Sequence, residues 1–123
     1  MSNDWHRTYK HFRRGLDATS DAFFQGLAHG SLSVELFEPR GRDIQTPHAQ
    51  DELYIVREGH GRLDRKGEVI DVAPGDVILV EAGVEHRFVT FSEDFSVWVV
   101  FFGPIGGEEK EYADRRDQAL RSR

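Results

Sequence analysis

The chain has no cysteine among its 123 residues. Disulfides, iron–sulfur clusters and thiolate zinc sites are therefore excluded, and any metal must be held by imidazole, carboxylate or other oxygen ligands. No apolar run approaches the ~20 residues of a membrane span, and the opening MSNDWHRTYKHF lacks a signal-peptide apolar core. A soluble, cytoplasmic protein without a membrane partner is expected. Basic residues are also in short supply, with 16 Lys and Arg against 22 Asp and Glu and a net charge of −6. Residues 1–15 carry four Lys or Arg and one Asp, residues 107–123 balance five against five, and the stretch between them holds a net −9. An acidic body disfavours a phosphate backbone, and no DNA-reading helix pair is present, so nucleic acid is not an expected partner.

What is present suffices for a folded domain. A hydrophobic content of 38% with 11% aromatics can build a self-sufficient core at this length. Residues 4–14 place Trp5, Tyr9 and Phe12 at helical spacing. Phe23-Phe24 form an aromatic patch, and SLSVELF (31–37) alternates as a strand with Leu32, Val34 and Leu36 on one face. Further strands follow at regular spacing. They are the run ending at Glu58-Gly59, a hairpin around Lys66-Gly67, VILV (77–80), HRFVTF (86–91) and FSVWVVFF (95–102). About seven short strands with Gly and Pro punctuation and no crossover helix predict an all-β sandwich or barrel. The organisation expected is an N-terminal arm (1–20), a β-barrel (21–106) and a charged tail (107–123).

One stretch, TPHAQDELYIVREG (46–59), concentrates ligand-type groups. Read as extended chain, it sets Thr46, His48, Gln50, Glu52, Tyr54 and Val56 on one face. Polar groups come first and apolar ones follow, as suits a strand entering a cavity. A second imidazole, His86, opens a later strand. The expected site is built from His48, Glu52 and His86. Thr46, Phe88 and Thr90 are candidate pocket walls, and Tyr54 is a candidate acid/base or hydrogen-bond donor. For the last strand, either Val97, Val99 and Phe101 or Trp98, Val100 and Phe102 face inward. Asp51 should face away from Glu52 and be solvated or paired with an Arg.

The two stretches resemble the paired motifs of the cupin superfamily, G-x5-H-x-H-x3,4-E-x6-G and G-x5-P-x-G-x2-H-x3-N. In the first, His48, Glu52 and Gly59 match, Thr46 stands where the first histidine belongs, and Gly41 is one residue out of place. In the second, Gly75, Gly83 and His86 match, while Glu81 replaces the proline and Thr90 the asparagine. Fifteen residues separate the motifs, and the resemblance spans roughly 30–103. It implies a double-stranded β-helix, or jelly-roll, barrel, to which the helical spacing of residues 4–14 adds a short N-terminal helical arm. It also implies a divalent metal (Fe, Mn, Zn or Ni) on His48, Glu52 and His86, with Gln50 a candidate for the vacant fourth place. Two imidazoles and a carboxylate with open positions suit non-haem metal chemistry. The function expected is that of a metal-binding cupin acting on a small molecule, either dioxygenase-like or isomerase/lyase-like. The alternative is a cupin module that binds a small molecule without turning it over. Pairing as a homodimer is expected in both cases. If the basic arm docks on the acidic body of its own or a neighbouring subunit, deleting residues 2–14 lowers the melting temperature or the dimer fraction, read by calorimetry and sedimentation. Unchanged values in both would refute the docking.

Overall fold

The computed structural model describes residues 4–121. A helix, α1 (Tyr9–Asp17), is followed by eight strands: β1 (Phe23–His29), β2 (Leu32–Phe37), β3 (Asp51–Glu58), β4 (Gly61–Arg65), β5 (Glu68–Val72), β6 (Val77–Val80), β7 (His86–Phe91) and β8 (Ser96–Phe102). A second helix, α2 (Glu111–Arg121), closes the chain and buries none of its residues. The strands form a five-stranded sheet, β1-β2-β8-β3-β6, facing a three-stranded sheet, β5-β4-β7, with every pairing antiparallel. This is the jelly-roll barrel that the cupin resemblance implies, within the all-β class expected from the strand pattern. The β4–β5 turn falls at Lys66-Gly67, where both residues have positive φ (54° and 88°). That backbone twist matches the twist of the flanking strands, and glycine adopts it without steric cost.

The register settles the phase of the last strand. Val97, Val99 and Phe101 pair with Val56, Tyr54 and Glu52, so they share the inner face with those residues. They join Tyr54, Leu63, Phe88 and Phe95 in or against one apolar core inside the barrel. Trp98 points outward into a second, smaller core made by Phe12, Leu16 and Leu36 with Phe24, Leu27 and Val34. The apolar face of β2 therefore lies under α1, and its other face looks into the barrel. VILV is less buried than its composition suggests. It is an edge strand that turns Ile78 and Val80 inward and leaves Val77 and Leu79 61% and 49% exposed.

Three expectations are corrected. The helix runs over 9–17 and not 4–14, because Thr8 caps it by accepting the His11 N–H at 3.2 Å, which leaves Trp5 outside and exposed. The aromatic patch at Phe23-Phe24 belongs to a full strand, β1, whose alternation is broken by a register shift between Gln25 and Leu27. The extended stretch begins at Asp51 and not at Thr46, and residues 43–50 are irregular.

Helix α1 is seated by two reciprocal close approaches. A Cβ on Gly15 would lie 2.3 Å from the Phe24 ring, and one on Gly26 would lie 2.4 Å from the Phe12 ring. Each glycine makes room for an aromatic ring of the opposite element. Phe12 also meets Trp98 edge-on at 4.9 Å, Arg57 lies over the Tyr9 ring at 3.9 Å, and Arg13 joins Glu38 to Asp17. The arm is thus packed on its own body, mainly by apolar contact. Gly26→Ala should cost about 1–3 kcal/mol in denaturant unfolding, the usual penalty of overpacking. Metal uptake by the barrel should be unchanged, and a variant as stable as wild type would show that α1 is not held at this seam.

Candidate metal centre

His48, Glu52 and His86 come from three different places. His48 sits in the irregular segment before β3, Glu52 is the second residue of β3, and His86 starts β7 in the opposite sheet. Backbone contacts hold these places together. Gly83 N–H donates to the His48 carbonyl at 2.8 Å, tying the turn before β7 to the segment before β3. Asp51, expected to be solvated, is instead buried. Its carboxylate accepts the N–H groups of Ala82 at 2.9 Å and Glu108 at 2.8 Å. Asp51 does face away from Glu52, as strand alternation requires. What it faces is backbone in need of an acceptor.

The three ligand atoms lie within 4.8 Å of one another. His86 Nε2 is 2.9 Å from one Glu52 oxygen, and His48 Nε2 is 3.6 Å from the other. Two donors each ~2.1 Å from one ion, at right angles, stand about 3 Å apart, so these separations fit a shared cation. The close His86–Glu52 pair lacks hydrogen-bond geometry, and Glu52 Oε1 and His86 Nε2 are both buried without a hydrogen-bond partner. Buried polar atoms of native proteins are nearly always satisfied, and a cation between these two would satisfy both. His86 Nδ1 donates to the Val84 carbonyl at 2.8 Å, which fixes the tautomer and leaves Nε2 free to ligate. The residues present therefore fit a divalent metal.

The other expected site residues are placed differently. Gln50 commits its amide nitrogen to the carbonyls of Ser31 and Gly103, at 2.8 and 3.0 Å, because the chain here is not strand and does not keep the face of Glu52. Thr46 is exposed at the rim. Tyr54 is fully buried, and its hydroxyl donates to Gln45 Oε1 at 2.7 Å; burial pushes its pKa well above the ordinary phenol value. Phe88 is buried among Tyr54, Phe37 and Phe95, and Thr90 borders a separate surface depression beside His60. Neither lines the cavity described next.

A cavity of about 650 Å³ opens beside His48 and Glu52. Glu35, Phe37, Val99 and Phe101 also line it. Sequence reasoning missed three residues here. Gln45 accepts from Tyr54, lies 3.4 Å from His48 Nε2 and donates to Asp43 at 2.7 Å. Asp43 is buried and also accepts the Phe88 and Gln45 N–H groups, linking the loop to β7. Glu35 reads as solvent-facing because it lies between the apolar Val34 and Leu36 of SLSVELF. Once α1 covers that apolar face, Glu35 points into the barrel.

Ionisation follows from this packing. Burial lowers His48, despite the nearby Glu52 carboxylate, and so favours the neutral ligand form. For His86 burial acts downward, but the Glu52 carboxylate and the Val84 carbonyl outweigh it and hold the ring above its usual value. Glu35 is pushed up to about 7 by burial and by the charge of Glu52.

Comparison with known proteins agrees with this architecture. The Cupin domain family matches residues 33–102, and the chain belongs to that family. An uncharacterized protein of Streptomyces coelicolor is 42% identical over 89 residues, covering 71% of this chain and 85% of that protein. The crystal structure of a cupin superfamily protein from Desulfitobacterium hafniense is 21% identical, covers 67% of this chain and 78% of its own, and superimposes with a TM-score of 0.56. A cupin-2 domain containing protein from Shewanella frigidimarina is 20% identical over 72% of this chain and 89% of its own, with a TM-score of 0.57. At those identities the solved structures speak for the fold. The particular chain is thus a cupin whose His48–Glu52–His86 set can hold a metal ion. No helix among the described residues is long and apolar enough to cross a membrane.

The raised Glu35 sets a pH dependence for metal-free protein. Its carboxyl ionises near 4.5 when unfolded and near 7 when folded, so between those values the native state holds a proton that the unfolded chain has released. The stability from this group is fully present below about 4.5 and is lost as pH rises through about 7. Denaturant unfolding should show that decline in wild type and a smaller one in Glu35→Gln. Parallel curves for the two proteins would contradict the assignment.

Proposed function

We propose that this cupin is a metal-dependent enzyme acting on a small organic molecule, with His48, Glu52 and His86 holding a divalent ion. The observation that carries the reading is the buried pair Glu52 Oε1 and His86 Nε2, 2.9 Å apart and without a hydrogen-bond partner, set beside a cavity large enough for a small substrate. Three protein ligands leave positions open, and a metal bound there would supply Lewis acidity or, as Fe(II), a route to oxygen chemistry. The chain's own residues prepare the place. His48 and Glu52 face the cavity, while His86 lies fully buried and is oriented by Val84. Phe37, Val99 and Phe101 make an apolar wall that excludes water, and the Phe101 ring lies edge-on to His48 at 4.8 Å. Tyr54 serves as a fixed donor that positions Gln45 beside His48. With its hydroxyl committed to Gln45, it is not assigned a proton-transfer role.

A second reading has its own support. Thr46 is exposed where the resemblance places a histidine, and Gln50 is engaged elsewhere, so nothing supplies a fourth protein ligand from those positions. That favours a weaker metal site in a module that binds a small molecule without chemistry.

The deciding measurement is the metal content of untagged protein purified without chelator, followed by uptake of Fe(II), Mn(II), Ni(II) or Zn(II). Near-stoichiometric metal is expected, and His86→Ala or His48→Ala should lower its affinity by at least about a hundredfold, beyond the 10–100-fold loss of an orienting partner. Affinity should fall with acidification, because both imidazoles must be neutral to ligate. Protein that neither contains nor takes up any of these ions sinks the reading.

A further inference from the structure

We propose that Glu35 is the proton-transfer residue of the cavity, taking the proton from a weakly acidic O–H group of a ligand seated beside His48 and Glu52. This rests on the metal reading above and names the ligand class that suits it: a small molecule with an enol, α-hydroxycarbonyl or hydroxamic-type O–H. The proton passes to a Glu35 carboxylate oxygen, and the ligand keeps the electron pair as an oxyanion. The charge then lies toward the position a cation would occupy.

The geometry comes from the sheet. Glu35 on β2 pairs with Val99 on β8, and Glu52 on β3 pairs with Phe101 on β8. Val99 and Phe101 are two residues apart and share the inner face, so both glutamates flank that face from opposite sides of β8. Strands two apart in a sheet are about 10 Å from each other, which leaves room for a small ligand between the two side chains. Both carboxylates line the same cavity. Glu35 is not a fourth ligand of the same ion, since its oxygens fall outside the group of atoms within 4.8 Å.

Glu35 also has no structural task. It is half-buried, and among the described residues its carboxylate makes no hydrogen bond or ion pair. A carboxylate withdrawn from water without compensation opposes folding, so its retention inside the barrel calls for another role. The charged and titratable groups around the cavity are Glu52, His48 and Asp43, with Asp21, Arg40 and Arg42. Asp43 is occupied by the N–H groups of Phe88 and Gln45, and Arg40 donates to the carbonyls of Leu16 and Thr19. The raised proton affinity noted above agrees with this role, because a group poised near neutrality can both accept and return a proton.

The test uses the full chain loaded with Ni(II) and acetohydroxamic acid as the probe, at about pH 8, where Glu35 is ionised. Binding is followed by the visible spectrum and by calorimetry in buffers of different ionisation enthalpy. In wild type less than one proton per probe is expected to reach the buffer, because the like charge of the new oxyanion beside Glu35 favours its protonated form. In Glu35→Gln the metal content should be unchanged, the proton should appear in the buffer, and affinity should fall about tenfold, the worth of one hydrogen bond to a charged group. Glu35→Asp should restore part of the retained proton. Equal affinity and equal proton release in wild type and Glu35→Gln overturn the proposal, as does loss of nickel from Glu35→Gln, which would make Glu35 a ligand. If wild type takes up none of Ni(II), Fe(II), Mn(II) and Zn(II), the metal reading has failed and this proposal goes with it; if it takes up one of the other three instead of nickel, the calorimetry is run with that ion and the same outcomes decide. Carbon-13 NMR of glutamate-labelled, metal-free protein separates the cases. A carboxyl titrating near neutrality that is absent from Glu35→Gln belongs to Glu35 whether or not metal binds.

Discussion

A carboxylate 1% exposed inside an apolar barrel is the constraint around which this molecule is arranged. Glu52 is surrounded by Tyr54, Val80, Val99 and Phe101 on the faces its strands share, and a lone charge there would be driven toward neutrality. Two imidazoles approach it instead, one of them equally buried. The pair left without hydrogen-bond geometry makes sense as a place kept for a cation, which would give both buried atoms a partner.

Holding that arrangement requires contacts far apart in sequence. The His48 carbonyl receives the Gly83 N–H, Asp51 receives Ala82 and Glu108, and Asp43 receives Phe88. Each acceptor lies at or before the start of β3, and each donor belongs to the turn before β7, to β7 itself or to the segment after β8. The site is therefore assembled from loops clamped to the ends of strands, with Gln45 and Tyr54 bracing His48. Buried carboxylates accepting backbone N–H groups give such clamps strength without adding bulk.

The barrel has two apolar faces where a strand pattern suggests one. Helix α1 covers the outer side of β1, β2 and β8, so the aliphatic stripe of β2 belongs to the smaller core and its polar stripe turns inward. This inversion brings Glu35 into the cavity. It also explains why Trp98 pairs with Phe12 and not with the barrel interior. The arm, a small part of the chain, thus decides which side of a neighbouring strand reaches the chemistry.

How much of this is legible in the residues alone depends on range. Strands β2 to β8, the Lys66-Gly67 turn and the His48–Glu52–His86 set are legible because alternation, turn residues and motif spacing are local signals. β1 is hidden by a bulge that breaks its alternation. Gln50 is misplaced by a period-2 reading because that reading holds only where the chain is extended, and residues 43–50 are not. Apart from the short Asp43–Gln45 link, the partners of Asp51, Asp43 and Gln45 lie 31 to 57 residues away or depend on a buried tyrosine, so no local signal gives their roles. The amino-acid order by itself determined strands β2 to β8, their turns and the identity of the three candidate ligand residues. Only the tertiary structure decided the inward phase of β8, the side of β2 that faces the cavity and the clamps around His48, because each of these depends on which surface another element covers.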